Sequence, residues 1–214
     1  HQGECQTQLG DLAVAASSAF APVLSPCSFE LDDFTFRQGV PKGTVARSLR
    51  ASAVLTDGGV YDNLGLEPVW KRYKTILISD AGRKMDDDLN PADDWARHSR
   101  RLLDLLQHQT SNLRRRQAVG AFSDAHDPHT GAYWGIQTDL AEYSAAGKLD
   151  CPHEATSKIA YIPTRLAALQ DADQERIINW GYAVCDAAIR TYLDGFADVA
   201  PPSGFPYPQV GLGN

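Results

Sequence analysis

The chain has 214 residues, of which 43% are hydrophobic and 22% charged, with a formal net charge of -7. That is the balance of an ordinary globular protein, long enough for one domain with its own core. The acidic excess argues against a general nucleic-acid binder, which carries a basic footprint, and no apolar run is long enough to cross a bilayer.

Residues 7–20 carry Leu9, Leu12, Val14, Ala16 and Phe20 at positions that suit a buried helix. Small residues between them allow close packing, and Pro22 and Pro26 stop the helix. Phe29, Leu31, Phe34 and Phe36 alternate around a break in phase at Asp32-Asp33, predicting two short strands joined by a bulge or turn. Gly39, Pro41 and Gly43 mark a loop. Residues 49–56 predict a strand that delivers Asp57 to the turn Asp57-Gly58-Gly59. A helix is expected from Gly65 to Tyr73, with Leu66, Val69 and Trp70 inward. The run Thr75-Ile76-Leu77-Ile78-Ser79-Asp80 then reads as a strand buried on both faces of a parallel sheet. Strand, helix and strand in this order predict a βαβ unit.

Residues 83–94 are polar and acidic, a solvated loop. Asn90 as cap and Pro91 at the first helical position predict the start of a long helix. Trp95, Leu102, Leu106 and Leu113 share one face of it. The other face holds Arg97, Arg100, Arg101, Arg114, Arg115 and Arg116, read as a solvated face pairing with Asp and Glu. The alternative is an amphipathic basic helix that touches anionic lipid headgroups at a membrane surface. Residues 123–131 form a loop and 132–136 a strand. Residues 144–157 read as irregular and 158–162 as another short strand. A last helix runs from Asp173 to Leu193, with Ile177, Gly181, Cys185, Ala188 and Tyr192 on one face. Residues 201–214 form a tail rich in Pro and Gly, expected to be extended or poorly ordered.

The four cysteines, Cys5, Cys27, Cys151 and Cys185, are widely spaced with no C-x-x-C pair. They read as free thiols of a reducing compartment, which favours a cytoplasmic or peripheral membrane location. The chain begins at His1 and its one methionine is Met85, so further sequence upstream is expected.

Asp57 is the leading candidate for chemistry. A serine hydroxyl is a poor nucleophile until a base takes its proton, and a carboxylate can be that base directly. Burial at a strand end would raise its pKa and make it a better one. Gly58 and Gly59 permit unusual backbone angles and close approach. The competing reading is a plain Asp-Gly turn. Asp80, at the end of the next strand, either faces a ligand crevice or caps its loop, and the cap is favoured. His126 and His129, with Asp127 between them, lack a third metal ligand, and Pro128 forbids a helical presentation, so a surface loop is favoured. Cys151-Pro152-His153 is an equally weak metal pattern.

The run Ala13-Val14-Ala15-Ala16-Ser17-Ser18-Ala19-Phe20-Ala21-Pro22, followed by Asp57-Gly58-Gly59-Val60-Tyr61-Asp62-Asn63-Leu64-Gly65, resembles the C-terminal part of the patatin-like phospholipase domain. Ile178-Asn179-Trp180-Gly181-Tyr182-Ala183 looks like a tail segment of the larger bacterial members. The resemblance implies a three-layer α/β sandwich with a mainly parallel central sheet. Residues 1–200 would form only its C-terminal part, and 201–214 the tail. It implies a Ser-Asp dyad with Asp57 as general base, supported by the turn residues Gly58, Gly59 and Asn63, and no cofactor or metal. The family's Gly-x-Ser-x-Gly nucleophile and glycine-rich oxyanion loop have no counterpart in this chain and would come from upstream sequence of the same protein. Leu64-Gly65 replaces the proline that often follows the family's asparagine. The implied substrates are lipid acyl esters such as phospholipids or lysophospholipids. A non-catalytic hydrolase-like domain that binds lipid or protein is the alternative. On either reading the 214 residues alone are expected to be inactive.

Overall fold

The computed structural model describes residues 2–21, 23–31, 51–82, 85–163 and 167–213, with residues 2–9 as backbone alone. The chain divides into two compact units: residues 1–63 with 92–107, and residues 64–91 with 108–214. It is a mixed α/β protein with a small parallel sheet.

In the first unit, helix α1 (Gln2–Ser17) covers most of the helix expected at 7–20 and begins earlier. Its buried residues differ from expectation. Ala16 and Ala19 are buried, whereas Leu12 and Val14 are exposed and Phe20 is half-buried. Among the described side chains of the helix Ala16 alone is buried, and Ala19 lies past its C-terminal end. Strands β1 (Cys27–Glu30) and β2 (Ser52–Leu55) pair antiparallel, from Cys27 opposite Leu55 to Glu30 opposite Ser52. Cys27 and Phe29 point to the half-buried face and Ser28 and Glu30 outward, the two-residue alternation of a strand covered on one side. The strand expected at Phe34 and Phe36, and the loop at 39–43, lie outside the described residues. A single helical turn, α2 (Gly59–Asp62), follows β2.

In the second unit, Gly65 adopts φ +61, a left-handed conformation that favours glycine, and leads into the short helix α3 (Glu67–Trp70). Strands β3 (Thr75–Asp80) and β4 (Thr130–Gly135) pair in parallel, from Thr75 opposite Thr130 to Asp80 opposite Gly135. The long helix α4 (Trp95–Ser123) lies between them in sequence, with residues 95–107 counted in the first unit and 108–123 in the second. The parallel crossover is thus β3–α4–β4, not the unit expected from 49–80, where β2 pairs antiparallel with β1. Parallel neighbours need a long return connection. The 29 residues of α4 supply it, and the four of α3 do not.

β3 is covered on one face only, against the expectation of two: Ile76 and Ile78 are buried, while Leu77 is 49% exposed. β4 is the strand buried from both sides. Ala132 and Trp134 enter one apolar cluster, and Tyr133 packs on another built from Leu66, Ile76, Ile78 and Ala118. Gly131 makes the strand pairing possible, because a Cβ there would lie 1.9 Å from the Ile76 carbonyl oxygen and 2.8 Å from Phe122 Cζ.

Helix α4 starts four residues later than Asn90-Pro91 predict, because the Asp94 carboxylate accepts the Arg97 amide at 2.9 Å and caps the first turn. Its expected inward face is exposed at Trp95, Leu102, Leu106 and Leu113. Its buried residues are Ala118 and Ala121 near the C-terminal end.

Where an irregular segment and a strand are expected, α5 (His153–Ala160) forms instead. Thr156, Ile159 and Ala160 are buried on one face, and a Glu154–Lys158 ion pair at 3.1 Å spans one turn of it. Helix α6 (Asp171–Tyr192) agrees with expectation in extent but not in face. Trp180, Ala183, Val184, Ala187 and Ala188 form the buried stripe, with Gly181 and Tyr192 exposed. The wide indole of Trp180, whose Nε1 donates to the Ile136 carbonyl at 2.9 Å, sets that rotation. Arg190 is buried and forks onto Asp186 (Nη2–Oδ2 2.6 Å) while Nη1 donates to the Ala146 carbonyl at 2.5 Å.

The tail is packed, contrary to expectation. Asn179, fully buried, donates through Nδ2 to the carbonyls of Tyr207 (2.8 Å) and Gly211 (2.7 Å) and accepts the Tyr207 amide at 2.9 Å. Phe205 and Leu212 pack on the same apolar cluster as Trp180.

Candidate functional site

Asp57 lies just past the end of β2, half-buried, at the entry to α2. Its backbone amide donates to the carbonyl of Ala19 at 2.9 Å, and the Thr56 hydroxyl donates to the same carbonyl at 3.3 Å. Ser25 Oγ donates to Thr56 Oγ1 at 3.1 Å. The residue beyond α1 and the residue beyond β2 are thus stitched together by main chain. This link has no periodicity in the sequence; only the two small-residue and glycine motifs, read as a pair, hint at it.

The carboxylate is oriented by its own turn. Gly59 donates its amide to Asp57 Oδ1 at 2.6 Å. Among the described residues, Asp57 Oδ2 has no hydrogen-bond partner. Asn63, exposed at the end of α2, turns its amide oxygen toward the same glycine. A Cβ on Gly59 would lie 2.6 Å from Asn63 Oδ1 and 2.9 Å from Asp57 Oδ1. Asp57, Gly59 and Asn63 therefore converge.

Gly58 plays a different part from the one expected. Its φ of -62 and ψ of -25 are ordinary right-handed helical values, and nothing lies within 4 Å of a Cβ built there. Of the two glycines, space is required at Gly59 alone, and neither adopts a positive φ. The expected deep burial of the aspartate is not seen either, since a short strand and a single helical turn cover only part of it.

Asp80 caps its loop. Oδ1 accepts the Gly82 amide at 2.8 Å and Oδ2 accepts the Tyr133 hydroxyl at 2.6 Å. Burial, then the neighbouring Asp80 carboxylate, pushes the Tyr133 phenol far above its ordinary range, so it stays a proton donor to Asp80. Both carboxylate oxygens are thus committed to the fold.

His129 is not a solvated loop residue. Its ring stacks on Trp70 at 4.2 Å between centroids. Nε2 lies 2.9 Å from the Trp70 carbonyl and Nδ1 2.7 Å from Asp127 Oδ1. Both nitrogens face acceptors, which only the doubly protonated ring satisfies. The Trp70 carbonyl, then Asp127, accordingly raise its pKa, and Asp127 is lowered by the His129 amide and ring. His126 is exposed and bonds to Asp124 in its own turn. Among the described residues, no group of three or more His, Cys, Asp or Glu side chains could hold a metal ion.

Cys27, Cys151 and Cys185 are free. Burial pushes the Cys151 thiol up to about 11 and raises Cys185 as well, which keeps both as thiols near neutral pH. Among the described residues, no helix is long and apolar enough to cross a membrane. No protein-family model matches the chain, and no curated protein or solved structure matches it.

Proposed function

We propose that this chain is the C-terminal part of a serine acyl hydrolase catalytic domain of the patatin-like kind, a three-layer α/β sandwich acting on lipid acyl esters. The observation that carries the reading is the Asp57–Ala19 hydrogen bond at 2.9 Å. It sets the two motifs that resemble that family side by side, though 37 residues separate the corresponding positions Thr56 and Ala19. The turn geometry supports it further. Oδ1 is held by Gly59, so the carboxylate is pre-oriented, and Oδ2 is left to take a proton. The exposed apolar residues Leu12, Val14 and Val54 are also what a layered fold lacking some of its strands would display.

In this reading Asp57 Oδ2 accepts the proton of a serine carried by an upstream Gly-x-Ser-x-Gly. The serine oxygen attacks the ester carbonyl and the alcohol leaves. Backbone amides of an upstream glycine loop hold the oxyanion, and water then releases the acyl group. The half-burial of Asp57 and its simple turn favour the second reading, a non-catalytic hydrolase-like domain that binds lipid or protein.

The discriminating experiment compares the complete protein with its Asp57→Asn variant on short-chain esters. Asparagine can still accept the Gly59 amide, so the turn survives while the base is lost. The expected loss in kcat is about 10²–10⁴-fold. Equal turnover by both proteins refutes the role of Asp57. A parent reading frame without a Gly-x-Ser-x-Gly upstream of His1 refutes the enzyme reading altogether, whereas ester hydrolysis by the 214 residues alone refutes the dependence on an upstream nucleophile.

A further inference from the structure

We infer that His129 is a proton-operated latch: with both ring nitrogens protonated it clamps the C-terminal end of α3 to the loop before β4, and the loss of one proton releases α3. The side chain is 15% exposed and reaches two parts of the chain at once. Nδ1 lies 2.7 Å from Asp127 Oδ1 in its own loop. Nε2 lies 2.9 Å from the main-chain carbonyl of Trp70, the last residue of α3. That carbonyl stands where a helix end leaves its oxygens without main-chain donors. Among the described residues, it accepts from His129 alone. The latch lies wholly in the second unit and does not rest on the role of Asp57.

The two ring protons are not equivalent. The one on Nδ1 meets a carboxylate that its own turn fixes, since Asp127 Oδ1 also accepts the His129 amide at 2.8 Å. Charge-assisted hydrogen bonds are the stronger kind, so the neutral ring keeps its proton on Nδ1 and gives up the one on Nε2. The Nε2 lone pair then faces the Trp70 carbonyl oxygen across 2.9 Å, two acceptors with no proton between them. A half-buried carbonyl without a donor is costly, so the two must part. The Trp70 ring stays stacked on the imidazole, so the main chain at the end of α3 is what moves. There the amides of Arg72 and Tyr73 bond to the Val69 carbonyl, and the Lys74 carbonyl accepts the Thr130 amide at the start of the β3–β4 pairing. Asp127 is the charged group that faces the ring. On α3, Glu67 pairs with Lys71 at 3.3 Å and with Arg114 of α4 at 3.1 Å. Lys71, Arg72 and Lys74 are exposed, and His126 pairs with Asp124 at 3.3 Å. The Trp70 carbonyl, then Asp127, raise the pKa of the ring. The latch is therefore closed below the ordinary histidine value of about 6.5 and opens as pH rises through the raised one.

The test is an NMR titration of the full chain from about pH 5 to 9, across the range in which histidine changes charge. It follows the two ring nitrogens of His129 and the exchange protection of the Arg72, Tyr73 and Thr130 amides, corrected for the intrinsic rise of exchange with pH. Nε2 is expected to lose its proton while Nδ1 keeps it. Protection of the three amides should fall by about tenfold or more in the same step. Asp127→Asn keeps the turn, because asparagine can accept the His129 amide, but removes the charge, so the step should move to lower pH. His129→Gln sets an uncharged amide donor against the Trp70 carbonyl and should hold protection level across the range. Retention of the Nε2 proton by the neutral ring, or protection unchanged through the wild-type titration, overturns the proposal. So does a step that survives His129→Gln or stays in place in Asp127→Asn.

Discussion

The backbone amide of Asp57 donates to the carbonyl of Ala19 across 2.9 Å, tying the end of β2 to the residue just beyond α1. Ala19 is 3% exposed, so the bond is shielded on that side, and the Thr56 hydroxyl reinforces it at the same oxygen. The backbone that presents the Asp57 carboxylate is thus held by two segments distant in sequence, while the carboxylate itself is aimed by Gly59. Substitutions in this turn should separate orientation from backbone strain.

The two glycines after Asp57 should respond differently to alanine. Gly58 has right-handed helical angles and open space at its Cβ position. Gly58→Ala should be neutral or stabilising by about 0.4–1 kcal/mol, because it restricts the unfolded chain. In Gly59→Ala the new methyl meets Asn63 Oδ1 at 2.6 Å and Asp57 Oδ1 at 2.9 Å. It should displace the carboxylate and cost about 1–3 kcal/mol. Urea denaturation of both variants checks the contrast, and equal midpoints would show that Gly59 is not under steric constraint.

Gly131→Ala should be the most damaging single methyl in the second unit. The Cβ would overlap the Ile76 carbonyl oxygen at 1.9 Å, so β3 and β4 must separate. The expected cost is about 3 kcal/mol or more. The measurement is the chemical-denaturation midpoint, supported by amide exchange of Leu77 and Ala132. A variant as stable as the wild type would refute the observed pairing register.

Asn179→Leu should release the tail. The substitution removes three hydrogen bonds and leaves the Tyr207 amide and carbonyl without their buried partner. A loss of about 3 kcal/mol is expected, together with faster proteolysis between 201 and 213. A tail equally resistant in both proteins would show that Phe205 and Leu212 hold it without Asn179.

Stability should depend on pH through His129 and Asp127. The imidazolium is favoured in the folded state, so its stabilisation is complete below the ordinary histidine pKa of about 6.5 and is lost as pH rises through the raised folded value. Asp127 is lowered, so its share is present above about pH 3.9 and is lost as pH falls through the depressed value. The penalty of His129→Ala, read from thermal melting, should be largest between about pH 4 and 6.5. It should shrink at higher pH without vanishing, since the stack on Trp70 remains. A penalty independent of pH would exclude the charged ring.

The sequence by itself determined the local features: where α1, α4 and α6 run, that β3 and β4 are strands, that a glycine-bearing turn follows β2 with Asp57 at its head, and that Asp80 caps a loop. These follow from near-neighbour periodicity, turn chemistry and charge, which a linear reading contains. The tertiary structure decided which partners those features meet. It paired β2 with β1 and β3 with β4, because strand pairing depends on connection length and register rather than on composition. It turned α6 to bury Trp180 and Asn179, and so packed a tail whose Pro and Gly content alone suggested disorder. It left the leucines of α4 exposed, since an apolar stripe records a preference for an apolar neighbour but not what that neighbour is. At Asp57 the sequence named the carboxylate, and the structure supplied the Ala19 carbonyl and the crowded Gly59 that hold it in place.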